Sequence, residues 1–133
     1  MKLELLEYVH DNLPNGFKPY YIYLMIVEGC EVGKIVLREG SDEDMYYSGH
    51  IGYSVYKEFR GHHYAYEACL LLKEYVDRDY LLITCDPDNY PSLKTIHMLG
   101  CEYIEIVSIP KELKKVFTED EKEKMIFKWK LTS

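Results

Sequence analysis

The sequence predicts an α+β fold in which helices flank a mixed, mainly antiparallel sheet that contains a central parallel pair of strands. Three observations predict it. Strand-like segments dominate the first part of the chain, where apolar and β-forming residues alternate or cluster. Two segments with helical spacing of apolar residues follow, and each is enclosed by strands. The strand–helix–strand unit from Ile51 to Cys85 is typical of a right-handed crossover between parallel neighbours.

The individual elements follow from these patterns in chain order. We expect a solvated acidic turn at residues 39–44, a turn-rich connection at 11–16 and a polar, charged loop with one helical turn at 110–124. We also expect an interruption of the fourth strand near Ser48 and Gly49. The predicted strands are residues 2–9, 20–27, 32–38, 45–55, 81–85, 101–107 and 125–131. The first predicted helix is residues 64–77, and the second follows residues 86–89, has Pro91 in its first turn and ends before Gly100.

Length and composition indicate a single domain, residues 1–133. The chain has 133 residues, is 47% hydrophobic and carries a formal net charge of -7, which argues against a broad nucleic-acid surface and weakly favours a cationic amine partner. The sequence has neither a membrane-length apolar run nor the apolar core of a signal peptide, so we expect a cytoplasmic protein. The four cysteines are widely spaced, and we expect buried free thiols and no metal site.

The stretch from Gly52 to Ala68 passes from a strand through a short basic turn into a helix. Arg60 and Gly61 break the strand pattern, and from Tyr64 onward apolar residues recur at helical spacing. A helix that begins directly after a strand points free backbone N–H groups out of its first turn, beside the positive end of its dipole. This geometry predicts a phosphate-binding site at the turn.

Two motifs in these elements resemble the Gcn5-related N-acetyltransferases. Arg60-Gly61-His62-His63-Tyr64-Ala65 resembles the family's pyrophosphate-binding signature, Gln/Arg-x-x-Gly-x-Gly/Ala. Downstream, Asp88-Asn89-Tyr90-Pro91-Ser92, followed by Met98-Leu99-Gly100-Cys101, resembles a helix that carries Asn-x-x-Ser and usually ends in Leu-Gly-Phe. The strand order agrees as well, and the resemblance covers roughly residues 32–107.

The resemblance implies acetyl-CoA as co-substrate and a site built largely from backbone groups. The turn would bind the pyrophosphate, and the strand before it would pair with the pantetheine arm and polarise the thioester carbonyl. Asn89 would hydrogen-bond the arm, although it equally suits a helix N-cap, and Ser92 would lie near the arm or the phosphates. The cofactor-binding residues implied in this way are Tyr53, Ser54, Val55, Arg60, Gly61, His62, His63, Tyr64, Ala65, Asn89 and Ser92.

His63 departs from the signature, because it occupies the fourth position, where the family has glycine. If the backbone there approaches the cofactor closely, the side chain must point away from it. Alternatively, the imidazole lies over a phosphate and adds charge when protonated, or His63 is simply a surface residue on the first helical turn.

The usual proton-transfer residues are also replaced. The tyrosine that often follows the helix asparagine by seven residues and serves as general acid is Ile96 here. The carboxylate that often lies near position 49 is Gly49, so His50 is our candidate for the catalytic base. Strand alternation can turn His50 to the wrong face, and Tyr47 and Glu58 are weaker candidates. A base acting through water, or an amine that arrives deprotonated, is a further alternative.

The acceptor side differs most from the family. Only residues 10–18 separate the first two strands, where family members usually carry one or two helices. The acceptor site is therefore open, suited to a large acceptor, or completed by a second subunit in a homodimer.

The function that the resemblance implies is transfer of an acetyl group from acetyl-CoA to a primary amine by direct attack in a ternary complex. The expected partner is an amine-bearing small molecule or peptide, rather than a nucleic acid or a membrane. The alternative is a non-catalytic acyl-CoA-binding or regulatory module on the same fold, favoured by the replaced proton-transfer residues. A third reading is an interaction domain without a CoA site, which would require His63 to block the turn.

Overall fold

The computed structural model describes residues 1–14, 17–113, 117 and 121–132. In these residues the strands and helices alternate in the order β1-β2-β3-α1-β4-α2-β5-α3-β6-β7. The strands are β1 (Lys2–Val9), β2 (Tyr20–Val27), β3 (Cys30–Arg38), β4 (Ile51–Val55), β5 (Tyr80–Cys85), β6 (Glu102–Ser108) and β7 (Glu123–Lys130). The helices are α1 (Asp42–Met45), α2 (Tyr64–Leu72) and α3 (Tyr90–Met98).

The strands form two antiparallel sheets rather than one mixed sheet. The first has the order β1-β2-β3-β4 and the second the order β5-β7-β6. The predicted central parallel pair was therefore wrong, although the α+β class is confirmed. No ladder joins β4 to β5 in the described residues. His50, the residue before β4, bonds to β5 instead: its N–H donates to the Leu82 carbonyl at 2.8 Å. A cleft lined by both strands takes the place of the expected ladder between them.

The core lies where the two sheets meet the inner faces of α2 and α3. In β2 and β3 the fully buried residues include Met25 and Ile35, and α2 buries Leu72 against them. Each side chain of this size contributes about 1.5–3 kcal/mol when it is fully buried. This core fixes the ends of β4 and β5, and therefore the position of the cleft.

The acidic segment after β3 is helical, contrary to the predicted turn. Ser41 and Asp44 form a reciprocal capping box: the Ser41 hydroxyl accepts from the Asp44 N–H at 3.1 Å, and the Asp44 carboxylate accepts from the Ser41 N–H at 3.1 Å. The acidic first turn also complements the helix dipole. Because α1 takes up residues 42–45, the strand predicted from Met45 begins only at Ile51.

Other predicted boundaries hold less closely. Helix α2 ends at Leu72 and continues as a 3-10 turn, Lys73–Tyr75, rather than as helix to residue 77. Cys30 is exposed and Cys101 half-buried, so the prediction of buried thiols was wrong for these two cysteines, although all four are free. Residues 15–16 of the first predicted loop, and residues 114–116 and 118–120 of the last, lie outside the described residues. No helix in the described ranges is long and apolar enough to cross a membrane.

Candidate cofactor and acceptor site

The turn between β4 and α2 exposes the first backbone N–H groups of the helix. Gly61 has φ +92° and His63 has φ +60°, and the first intrahelical bond joins the Glu67 N–H to the His63 carbonyl at 3.1 Å. No side chain of the described residues caps this helix. The N–H groups of residues 64–66 therefore precede any intrahelical acceptor and remain available to an anion.

His63 adopts the left-handed backbone that a glycine would adopt most easily. Its φ of +60° carries a cost of about 1 kcal/mol for a residue with a side chain. The residue is exposed, as are Arg60, Gly61 and His62. The Arg60 Nε donates to the Val55 carbonyl at 3.1 Å and joins the turn to the end of β4. The sequence departs from the family signature at His63, but the backbone conformation is one that suits the replaced glycine.

Helix α3 begins with a side-chain cap that also bears on the cofactor prediction. The Asn89 Oδ1 accepts from the Ser92 N–H at 3.3 Å, so Asn89 is the N-cap of α3. Pro91 lies in the first turn, where its missing N–H costs nothing. This bond uses only the Asn89 carbonyl oxygen and leaves its amide donors for another partner. The capping role and the implied pantetheine contact are therefore compatible.

A cleft of about 870 Å³ lies between the ends of β4 and β5. Of the implied cofactor residues, Tyr53, Asn89 and Ser92 line it, whereas residues 60–65 lie outside it and Ser54 is exposed farther along β4. The rest of the lining is Phe17, Lys18, Tyr20, Val36, Arg38, Asp44, Met45, Tyr47, Ser48, Ile51, Gly52, Thr84, Cys85, Asp86, Glu112, Leu113, Phe117, Glu121 and Lys124.

The Tyr53 side chain is a site group for which the sequence predicted only a backbone role. Its hydroxyl lies 2.8 Å from the Ser92 hydroxyl, across the gap between β4 and α3. Burial raises the pKa of the Tyr53 phenol, and the hydrogen bond with Ser92 offsets this only in part. Period-two alternation could have indicated this placement, because Ile51 on the same strand face is buried.

His50 does not have the surroundings of a catalytic base. Its side chain is 0% exposed and is absent from the cleft lining. The Nδ1 atom accepts from the Leu82 N–H at 3.0 Å, while Nε2 lies 3.2 Å from the Gly40 carbonyl and 2.8 Å from Arg78 Nη1. Burial, and then the Arg78 charge, lower the pKa of His50. His50 is therefore a neutral group that joins β4 to β5.

Two of the three cationic side chains among the described lining residues of the cleft are paired with carboxylates. Lys124 is buried, and its Nζ lies 2.7 Å from an Asp86 carboxylate oxygen and 3.4 Å from one of Glu121. Lys18 Nζ lies 4.0 Å from an Asp44 carboxylate oxygen. The pairs Lys124–Asp86 and Lys18–Asp44 were not predicted, since their members are distant in the sequence, whereas Glu121 lies only three residues before Lys124. They leave the cleft with opposite charges close to one another rather than with one uniformly charged wall.

Comparison with known proteins identifies the family. The model of the acetyltransferase (GNAT) domain matches residues 4–102. A search of curated proteins by sequence finds no significant match. Among solved structures, Mycobacterium smegmatis RimJ in complex with CoA-disulfide has a TM-score of 0.63 at 17% identity, covering 82% of this chain and 52% of its own.

Two further structures agree in fold. RimL, a ribosomal L7/L12 alpha-N-protein acetyltransferase, has a TM-score of 0.66 at 13% identity, with 86% of this chain and 71% of its own covered. The microcin C7 self-immunity acetyltransferase MccE, in complex with acetyl-CoA and AMP, has a TM-score of 0.64 at 17% identity, with 82% and 59% covered. This chain spans about half the length of RimJ. Because the family model matches most of the sequence and the fold agrees, the chain belongs to the GNAT family of acetyltransferases.

Proposed function

We propose that this chain transfers the acetyl group of acetyl-CoA to a primary amine. The observation that carries the proposal is the uncapped first turn of α2, which follows β4 through a left-handed residue, His63. Free N–H donors and the positive helix end together form a site for a pyrophosphate. We assign Arg60 to Ala65 to the pyrophosphate, the backbone of Tyr53 to Val55 to the pantetheine arm, and Asn89 to the same arm.

The acetyl group would then lie in the cleft between β4 and β5. The nitrogen lone pair of the acceptor attacks the thioester carbonyl carbon, a backbone N–H of β4 stabilises the oxyanion, and the C–S bond breaks. The proton lost by the amine balances the one gained by the thiolate. Burial raises the pKa of Cys85, the thiol that lines the cleft, to about 11. This thiol stays protonated at neutral pH, which favours direct transfer over an acetyl-cysteine intermediate.

We propose Tyr53 as the hydroxyl that donates to the departing sulfur. It lines the cleft beside Ser92, and α3 carries Ile96, fully buried, at the position of the usual tyrosine. Because the pKa of the phenol is raised, Tyr53 acts as a hydrogen-bond donor to the thiolate rather than as a strong acid. For the amine we propose binding in its neutral form, since the buried His50 does not line the cleft.

The test is release of free CoA thiol from acetyl-CoA across a panel of primary amines, with the acetylated product identified by mass spectrometry. We expect thiol release that depends on both substrates and saturates with each. Thiol release that is the same with and without amine, at every amine tried, would contradict the proposal. Desulfo-CoA should compete with acetyl-CoA, since it presents the same pyrophosphate and pantetheine groups.

A second candidate is a non-catalytic acyl-CoA-binding or regulatory module. It is favoured by the lack of evident proton-transfer groups. Ile96 is fully buried where the family usually has a tyrosine, and His50, the candidate for the base, is also fully buried. Tight CoA binding without transfer to any amine would support this alternative over the enzyme.

The proposed partner is an amine-bearing small molecule or peptide, not a nucleic acid or a membrane. The proposed oligomer is a homodimer. The free cysteines suit a reducing compartment, so we propose a cytoplasmic location. The chain covers 52% of RimJ and 59% of MccE at 17% identity, so the acceptor class is proposed from the residues of the cleft.

A further inference from the structure

Arg38 is the cationic side chain of the cleft that has the least compensation. It is the last residue of β3 and is half-buried. Its Nη1 donates to two neutral acceptors, the carbonyl oxygens of Ser48 at 3.2 Å and Gly49 at 3.1 Å. Within the described residues no carboxylate forms an ion pair with it, in contrast to Lys18 and Lys124. A partly desolvated guanidinium without a counter-ion is costly unless an anion binds to it.

The guanidinium lies directly on the strand that we assign to the pantetheine arm. A Cβ atom placed on Gly52 would lie 2.8 Å from Arg38 Nη2 and 3.3 Å from Cζ. Val36 is paired with Gly52, so Arg38 reaches diagonally across the ladder from β3 to β4. The glycine leaves the space that the guanidinium occupies. One residue farther along β4, about 3.3 Å along the strand, is Tyr53, where the thioester would lie.

Three of the four carboxylates among the described residues of this cleft have other partners, and the fourth, Glu112, forms no ion pair with Arg38. Asp86 and Glu121 are bound to Lys124, and Asp44 accepts from the Ser41 backbone while Lys18 lies within 4.0 Å of it. Within the described residues the Arg38 guanidinium is therefore a cation without a paired carboxylate, although the chain has a formal net charge of -7. Burial lowers the pKa of the Arg38 guanidinium, which is the shift expected of a cation that gives up water.

From this geometry we propose that Arg38 binds an anionic group of the acceptor, a carboxylate or a phosphate, that lies within a few bonds of the amine. The proposal rests on the function proposed above and narrows its acceptor to small amino acids and amino-phosphate or amino-phosphonate compounds. A cleft of about 870 Å³ has the size of a small-molecule site. The planar guanidinium still has its Nη2 and Nε donors for such a group. This acceptor class carries an anionic group, which the formal net charge of -7 by itself would not favour.

The test compares amines that differ in the anionic group. Glycine and β-alanine carry a carboxylate, aminomethylphosphonate carries a phosphonate, and glycinamide and β-alaninamide are neutral. Binding is measured by calorimetry with and without CoA, and turnover by thiol release from acetyl-CoA. Each result is expressed as the preference for the anionic over the neutral amine and is compared between the wild type and Arg38→Gln. Because both proteins receive the same two amines, differences in amine reactivity cancel.

We expect Arg38→Gln to lower this preference by about 10- to 100-fold, the usual effect of losing a hydrogen-bonded ion pair. Arg38→Lys should retain part of the preference, since it keeps the charge. Lys34→Gln is the matched control, an exposed residue of the same strand outside the cleft, and should leave the preference unchanged. The affinity of Arg38→Gln for acetyl-CoA should equal that of the wild type. The carboxylate and phosphonate arms show which anion is preferred.

Three results would overturn the proposal. The first is that the wild type binds none of the anionic amines at millimolar concentration. The second is that Arg38→Gln keeps the wild-type preference, and the third is that Arg38→Gln weakens the binding of anionic and neutral amines alike. The last result would mean that Arg38 only holds the Ser48 and Gly49 carbonyls. If the function proposed above is wrong, the protein will fail to bind acetyl-CoA or to transfer the acetyl group. The calorimetric titrations of amines without CoA still measure the effect of Arg38 in that case.

Discussion

The hydroxyl groups of Tyr53 and Ser92 lie 2.8 Å apart and join β4 to the first turn of α3. Both residues line the cleft between β4 and β5. The leaving sulfur would lie near this pair if pantetheine follows β4. Because burial keeps the phenol protonated, Tyr53 presents a hydroxyl donor at that point.

Tyr53→Phe removes this donor and little else. We expect kcat to fall by about 10- to 100-fold, the effect of one hydrogen bond to a charged group, with KM for acetyl-CoA nearly unchanged. The free energy of unfolding should fall by about 1 kcal/mol, as measured by urea denaturation. Ser92→Ala is the control, because it removes the same hydrogen bond but keeps the phenol. Equal losses of kcat in the two variants, with KM for acetyl-CoA unchanged in both, would mean that the pair is structural only.

The left-handed backbone of His63 predicts a stabilising substitution. Replacing it with glycine should raise the free energy of unfolding by about 1 kcal/mol, because glycine adopts a φ near +60° without a steric cost. Acetyl-CoA affinity should be retained or improved, as the family signature carries glycine there. The measurement is urea denaturation together with calorimetry.

Gly61→Ala is the control in the same turn, because it adds a side chain at a residue with positive φ, whereas His63→Gly removes one. A Cβ atom at Gly61 meets nothing within 4 Å, yet φ is +92°, so any loss of stability comes from backbone strain alone. We expect a loss of about 1 kcal/mol. If His63→Gly destabilises the protein while Gly61→Ala does not, the backbone conformation of this turn has been misassigned.

His50 predicts how stability depends on pH. Its pKa in the folded protein is lowered from 6.5 by burial and then by Arg78, so the unfolded chain binds this proton more readily. The stabilisation is complete above the unfolded pKa and is lost as the pH falls below about 6.5 towards the lower folded pKa. Asp42, whose pKa is lowered chiefly by its hydrogen bond with Tyr80, acts in a separate window below 3.8.

The expected result is a fall in the free energy of unfolding between pH 7 and pH 5. His50→Gln should be less stable at neutral pH, by about 1–3 kcal/mol for disturbed buried hydrogen bonds. The variant should also show a flatter dependence on pH in this window. If the free energy of unfolding of His50→Gln depends on pH as steeply as that of the wild type, a group other than His50 causes the dependence.

The sequence predicts the secondary structure better than the pairing of β4 with β5. Strands β1 and β2 have the predicted bounds. In β2 the apolar residues also determine the buried face, which includes Met25, whereas β1 leaves Leu5 exposed. The parallel pair was wrong because a strand–helix–strand pattern indicates a crossover and cannot show whether its strands bond or separate. Helix α1 was missed because a capping box, Ser41 with Asp44, also reads as an acidic turn.

The candidate site divides in the same way. The turn before α2 and the Asn89 cap are local, so residues close in the sequence define them. The contact of Arg38 with Gly52 and the pair Tyr53–Ser92 join residues 14 and 39 positions apart, so only the assembled sheets bring them together. His50 was a plausible base from its position, but its orientation depended on where β5 would lie.

The central claim is that the turn from Arg60 to Ala65 binds the pyrophosphate of acetyl-CoA. The most direct measurement is calorimetric titration of acetyl-CoA into the wild type, His62→Glu and His62→Gln, with His97→Glu as a control for added charge on an exposed residue of α3. We predict saturable binding at one site, weakened about 10-fold or more by His62→Glu, less by His62→Gln and hardly by His97→Glu. Absence of binding at high micromolar acetyl-CoA, or equal affinity of His62→Glu and the wild type, would contradict the account.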